Sequence, residues 1–212
     1  MQVLMNYILV SGSNGFIGSA LCARLKAEGA NPRCVVRTKA QSENSIAVGD
    51  IGPDTQWTNA LSGVGAVIHT AARAHIMKDE VPDPLAEYRK VNVDGTLNLA
   101  RQAAEAGVKR FIFISSIGVN GNINTRPFTE NDVPNPSEPY AQSKREAEQG
   151  LWQIQEETGM EIVIIRPPLV YGPNAPGNFG SLIRLVEKSL PLPLGAIHNK
   201  RSLVALDNLV DL

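Results

Sequence analysis

Tyr140 and Lys144 stand four residues apart in the stretch Ser137-Glu-Pro-Tyr-Ala-Gln-Ser-Lys144. On a helix, that spacing puts a phenol and an ammonium on one face. A free phenol titrates near pH ~10 and carries protons poorly at neutrality. A cation held beside it favours the phenolate, lowers that value and lets the pair move protons. Tyr and Lys at this spacing also arise by chance in many helices, so the pair gains weight only from its surroundings. Two hydroxyls, Ser115 and Ser116, close the apolar run Arg110-Phe-Ile-Phe-Ile114. Such a run is a strand, and its carboxyl end is where open α/β sheets bind ligands.

The elements that must position these groups alternate along the chain. Strands are expected over 6–10, 33–37, 45–48, 66–69, 110–114 and 161–166. Helices are expected over 15–28, 85–106, 137–158 and 181–189, three of them closed by Gly29, Gly107 and Gly159. The strands are continuous apolar runs, the mark of a parallel sheet covered on both faces. Right-handed crossovers then give an α/β, Rossmann-type doubly wound fold. Residues 118–136, rich in Asn, Pro and Gly, are expected to form the longest loop.

Gly12-Ser-Asn14-Gly15-Phe16-Ile17-Gly18 joins the first strand to the first helix. Glycines there allow a tight turn, close approach of backbone to a pyrophosphate, and close helix–sheet packing. The helix start adds free N–H groups and a positive dipole end. A glycine string alone is a weak signal; its place between strand and helix is what supports a dinucleotide site. A carboxylate at the end of the second strand would accept from the ribose of NAD. This strand ends in Arg37, with Lys39 close behind. A guanidinium suits the 2′-phosphate of NADP, so NADP(H) is favoured, with NAD(H) as the alternative and a solvated surface arginine as the non-functional reading. Asp50-Ile51 follows the third strand, placed either to hold an adenine or as an ordinary turn.

With the serine, tyrosine and lysine in view, the chain resembles the extended short-chain dehydrogenase/reductases, the NAD-dependent epimerase/dehydratase family. The resemblance covers nearly the whole chain. It rests on Gly12-x-x-Gly15-x-x-Gly18, Asp50-Ile51, His69-Thr-Ala71-Ala72, Asn92-Val-Asp-Gly-Thr96, Phe111-Ile-Phe-Ile-Ser-Ser116, Tyr140-x-x-x-Lys144 and Arg166-Pro167-Pro-Leu-Val-Tyr-Gly-Pro173. It implies that Tyr140 is the acid/base on a sugar hydroxyl or ketone. Lys144 would bind the nicotinamide ribose and lower the tyrosine pKa. Ser116 would bond the same substrate oxygen, with Ser115 structural. Ala71, Ala72 and Pro167 join the glycine loop, Arg37, Asp50 and Ile51 as cofactor contacts. Asn178 and Arg201 resemble residues that hold a nucleotide-sugar diphosphate, and a bidentate arginine suits phosphate oxygens; a surface charge is the plainer reading of Arg201. Asn92 resembles the family's helix asparagine, structural or catalytic.

Departures from the family pattern narrow the chemistry. Its 4,6-dehydratases carry an Asp-Glu pair after the active-site hydroxyl, where this chain has Ile117 and Gly118. Its fucose-forming members place a cysteine beside that serine, and neither Cys22 nor Cys34 is so placed. Val119-Asn120-Gly121 replaces the common Val-Tyr-Gly. These features resemble a subgroup of bacterial surface-polysaccharide synthesis that contains 4-epimerases and 4-keto-sugar reductases. The two stay side by side: Arg37 leans toward the reductase, family frequency toward the epimerase. The expected substrate is a nucleotide-diphosphate sugar, a UDP-sugar foremost, and a homodimer is compatible with the family. A non-catalytic NADP(H) sensor and a small-molecule ketone reductase are the other readings. Family members run roughly a hundred residues beyond the Asp207 motif, so residues 1–170 are expected to form the nucleotide-binding domain with the catalytic residues. Residues 171–212 are then the start of a substrate region truncated or largely absent.

Composition excludes other classes. A formal net charge of −1 over 212 residues gives no electrostatic footprint for nucleic acid or anionic membrane. No apolar run approaches the roughly 20 residues of a membrane helix, and residues 1–10 do not make a signal peptide. Cys22 and Cys34 read as buried free thiols in a reducing cytoplasm. His69, His75 and His198 lack metal-ligand spacing, so no metal is expected. His69 reads as a strand end near the cofactor, Trp57 and Trp152 as packing residues, and Glu146, Glu148, Glu156 and Glu157 as a solvated helix face.

Overall fold

The structure, a computed structural model, describes residues 7–38, 44–74, 81–189, 195, 196, 198 and 200–212. Lys39 and His75 lie outside the described residues. Six strands form one parallel sheet: β1 (Tyr7–Ser11), β2 (Pro32–Val36), β3 (Ser45–Ala47), β4 (Val64–His69), β5 (Arg110–Ile114) and β6 (Glu161–Ile165). Their order is β3-β2-β1-β4-β5-β6. The order reverses between β1 and β4, and in doubly wound sheets the crevice at such a reversal takes the ligand. Two short parallel strands the sequence reading lacked, β7 (Leu169–Tyr171) and β8 (Leu203–Ala205), make a separate sheet.

Helices α1 (Phe16–Ala27), α2 (Thr58–Leu61), α3 (Pro84–Tyr88), α4 (Thr96–Glu105), α5 (Pro139–Thr158), α6 (Gly177–Glu187) and α7 (Leu206–Val210) complete the chain. Alternation along the strands decides which face is deeply buried. Leu9, Val67, Phe111 and Phe113 are fully buried and pack with Leu99, Ala103, Leu151 and Ile154 of α4 and α5. Their neighbours Ile112, Ile114, Val163 and Ile165 point to the other face and are only half-buried. The expectation of equal cover on both faces therefore holds over β1, where Val10 is buried and α1 packs, but not over β5 and β6.

The single helix expected over 85–106 is interrupted. Between α3 and α4 the residues Arg89–Gly95 take π-helical pairing. The apolar period reads through such a segment unchanged, so spacing alone does not reveal it. Such bulges gather at functional sites, and this one carries Asn92, 1 % exposed. Helix α5 begins on Pro139, whose missing N–H costs nothing at a first turn. It ends on Gly159 at φ +72°, a left-handed cap that glycine takes without strain. No helix among the described residues is long and apolar enough to cross a membrane.

The fully buried Phe111 offers a direct check on which sheet face holds the core. Phe111→Ala should cost about 3–5 kcal/mol in urea unfolding, whereas a loss below about 1 kcal/mol would place the core elsewhere.

Candidate active site

The glycine loop is tied down by contacts that admit no side chain. Gly12 adopts φ +67°, and a Cβ there would fall 2.8 Å from the Ala71 nitrogen. A Cβ on Gly18 would fall 2.2 Å from the Gly12 carbonyl oxygen. Helix α1 thus enters directly beneath the loop, leaving Asn14 and Gly15 exposed above it. Below, Ser11 Oγ lies 2.6 Å from His69 Nδ1, and His69 Nε2 lies 3.0 Å from Thr96 Oγ1. Burial, reinforced by the Lys144 charge, pushes His69 down to about 3. The imidazole is therefore a neutral strut between β1, β4 and α4.

A cleft of about 650 Å³ opens over this loop, within the range that holds a cofactor. Of the residues expected at the cofactor, Gly12, Asn14, Gly15, Arg37, Asp50, Ile51, Ala71 and Ala72 line it. Gly18 lies beneath the loop, and Phe16 and Ile17 form the first turn of α1. Arg37 and Asp50, read separately from sequence, face each other with Nε and Oδ1 3.2 Å apart, and both are largely exposed. The cleft also takes in Val36 and Val48 at the ends of β2 and β3, and Glu87 and Lys90 from the α3 and π segment. The strand-end valines follow from the sheet order. Lys90 carried no signal, since its helix read as structural.

The serine, tyrosine and lysine singled out from the sequence lie on segments that meet near the carboxyl ends of β5 and β6. Lys144, 1 % exposed, donates from Nζ to the Ile114 carbonyl at 2.8 Å, two residues before Ser116. Its ammonium also sits 4.3 Å over the Phe113 ring. Ser116 Oγ accepts from the Gly118 N–H at 3.1 Å. A side-chain carbon on Gly118 would be 3.3 Å from both Ser116 Oγ and Ala141 Cβ, so this glycine lets the serine turn pack closely on the first turn of α5, which carries Tyr140. Pro167 accepts from Ile117 N at 3.0 Å and closes the same corner. Asn92 holds the helix from the other side, donating to Ser143 Oγ at 3.0 Å and exchanging bonds with the Arg73 backbone at 2.8 and 3.1 Å.

Two electrostatic expectations change. Tyr140 is not lowered: burial, then the neighbouring Tyr88 6.0 Å away ring to ring, pushes it up to about 12. The Lys144 amine that was to lower it donates to the Ile114 carbonyl. Burial instead brings Lys144 down to about 7, with Glu148 opposing. Glu148 itself is not on a solvated face. It is fully buried and accepts from Ser115 Oγ at 2.6 Å and from Arg166 Nε and Nη2 at 2.9 and 2.6 Å. Spacing put it with its exposed neighbours because partners remote in sequence are invisible to a helical period. Ser115 is thereby placed as a structural hydroxyl.

Asn178 falls in the first turn of α6, and Arg201 is exposed just before β8. Trp57 is fully buried, while Trp152 is 40 % exposed. Cys22 and Cys34 are free thiols with sulfurs 3.2 Å apart. Among the described residues no acidic, His or Cys cluster could hold a metal.

Residues 8–212 match the NAD dependent epimerase/dehydratase family. The chain belongs to this family. A UDP-glucose 4-epimerase of Vibrio cholerae is 47 % identical over 211 residues, covering 97 % of this chain and 64 % of that protein. Among family structures, UDP-glucose 4-epimerase of Thermotoga maritima with UDP-glucose superposes with a TM-score of 0.81 at 26 % identity, over 97 % of this chain and 71 % of that one. The dTDP-glucose 4,6-dehydratase of Streptomyces venezuelae with NAD gives 0.80 at 26 % identity, over 97 % and 70 %. The chain thus spans about two thirds of its relatives' length or less.

The buried ammonium has a measurable signature. Unfolded, Lys144 titrates near 10.5; folded, near 7. Between those values the unfolded chain holds a proton that the folded chain releases, so this group's contribution worsens as pH falls through the window and levels off below it. Urea unfolding of wild type against Lys144→Met should show wild type losing ground from about pH 10 to 7; a pH-independent difference would mean the amine is solvated.

Proposed function

We propose that this chain carries the cofactor-binding and catalytic side of an enzyme that passes hydride between NAD(P) and carbon 4 of a nucleotide-diphosphate sugar, with a UDP-sugar as substrate. The observation that carries the reading is the Lys144–Ile114 bond, which fixes the Tyr140 helix to the strand end that bears Ser116. The cofactor-shaped cleft and the 47 % identical 4-epimerase support it. Bound nicotinamide would accept or return the hydride; every other task belongs to the chain. Gly12, Gly15 and the start of α1 would receive the pyrophosphate, and Asp50 and Ile51 the adenine end. Ser116 would hold the sugar oxygen for Tyr140.

A phenol held near 12 keeps its proton at neutral pH. It is thus ready to donate to a keto oxygen, the reductive half of either an epimerase or a reductase. Taking a proton from a hydroxyl asks more: a positive charge nearer the phenol than Lys144 now stands. Ile117 and Gly118 offer no carboxylates for eliminating water, which argues against a dehydratase. The relatives favour a 4-epimerase with NAD. The exposed Arg37 at the rim favours the second reading, a 4-keto-sugar reductase using NADPH, in which Arg37 leaves Asp50 for the 2′-phosphate. Residues 1–170 would form the nucleotide-binding domain and 171–212 open the substrate side, with Asn178 and Arg201 as diphosphate contacts. The unbonded thiols of Cys22 and Cys34 suit a reducing cytoplasm.

Incubating the full-length protein with UDP-sugars and with 4-keto UDP-sugars while following nicotinamide absorbance tests the reading. Sugar interconversion without net absorbance change means epimerase; net oxidation of NADPH means reductase; neither, with intact cofactor binding, overturns it. Tyr140→Phe should lose at least about a hundredfold in kcat with cofactor affinity retained. Arg37→Asp should move the affinity ratio from NADP toward NAD, and an unchanged ratio would remove Arg37 from recognition of the ribose.

A further inference from the structure

We propose that Glu148 is a positioning residue of the hydride-transfer site: one buried carboxylate ties the helix bearing Tyr140 and Lys144 to the strand ends bearing Ser116 and Pro167. The inference rests on the functional reading above and assigns a task to a residue outside the serine, tyrosine and lysine.

Three segments meet on this side chain. Glu148 lies one helical turn beyond Lys144 on α5 and is fully buried. Its Oε1 takes the hydroxyl of Ser115, the residue before Ser116, at 2.6 Å. Both of its oxygens take the guanidinium of Arg166, the residue before Pro167, at 2.9 and 2.6 Å. Arg166 extends the tie through Nη1 to Asn120 Oδ1 at 3.1 Å, just past the short turn that begins at Ser116. The two strand ends are also joined by Ser115 N donating to Ile165 O at 2.7 Å. Ser116 and Pro167 are therefore each one residue from a group that Glu148 holds, and Lys144 and Tyr140 stand one and two helical turns before Glu148 on the same helix.

The charge balance has the same centre. Glu148 on the same helix and neutral His69 from β4 act on Lys144, Tyr88 from α3 acts on Tyr140, and Arg166 and Arg145 stand 2.6 and 3.7 Å from Glu148. Glu148 is the group among them that favours a charged Lys144. A structural ion pair at the surface would be worth little. A buried carboxylate is retained only with partners that satisfy it, and removing the charge leaves those partners exposed to the loss.

The experiment compares wild type, Glu148→Gln, Glu148→Asp and the milder Ser115→Ala in the full-length protein. The readouts are kcat and KM against pH, cofactor affinity, melting temperature, and the Lys144 titration followed by NMR of 13C-labelled lysine. Glu148→Gln should lose about 10- to 100-fold in kcat, the cost of removing a partner behind a reacting group, with KM changing less. Its Lys144 titration should move to lower pH, and Glu148→Asp should return that titration toward wild type by restoring the charge. Ser115→Ala should lower kcat with the Lys144 titration in place. The NMR arm reads the charge linkage even if no sugar is turned over, so failure of the substrate reading and failure of this inference are distinct. A lower melting temperature with kcat, its pH profile and the Lys144 titration unchanged in both Glu148→Gln and Ser115→Ala would make Glu148 a stability residue and overturn the proposal.

Discussion

A carboxylate with no access to solvent must be matched, and Glu148 is matched by a serine hydroxyl and both arms of an arginine fork. An isolated buried charge costs several kcal/mol even after relaxation. Helix α5 therefore has one seat on the sheet. Sliding it by a turn would carry Glu148 away from Ser115 and separate it from Arg166. The same seat sets Lys144 against the Ile114 carbonyl and brings the first turn of α5, with Ala141, to the Gly118 backbone beside Ser116. Hydrophobic burial of Leu151 and Ile154 supplies the adhesion between helix and sheet, while the ionic cluster supplies the register.

Around that seat, neutral and charged groups are kept apart. His69 stands between the loop and α4 as an uncharged imidazole, bonded at both nitrogens. Lys144 is the cation of the interior, and a second positive charge on His69 would repel it. The phenol of Tyr140 is flanked by Tyr88 and packed beneath a π-helical turn whose Asn92 binds Ser143. The Tyr140 helix is thus held by a ring contact and by the Asn92–Ser143 bond.

The sheet and the glycine loop were legible in the sequence because both are local. Apolar runs give strands, Gly12 and Gly18 give a loop that no other residue fits, and Gly159 ends a helix. The tyrosine, lysine and serine were legible through their spacing and their place after a strand. What escaped was anything defined by a remote partner. Glu148 looks like its solvated neighbours until Arg166 is brought beside it, 18 residues away in sequence. The lysine's effect on the tyrosine was inferred from proximity along one helix face, and burial of the phenol, then its neighbour Tyr88, decided otherwise. The π segment was hidden because a periodic pattern does not record one extra residue in a turn.

The loop and the rim of the cofactor cleft differ in how freely they can change over evolutionary time. At Gly12 and Gly18 even a methyl group would collide with backbone, so substitution there is closed to drift. Arg37 and Asp50, exposed by 76 % and 89 % of their side chains, face each other at the rim. A substitution at Arg37 or Asp50 changes only exposed charge at the rim of the cleft, whereas one at Gly12 or Gly18 displaces the backbone on which the cleft floor rests.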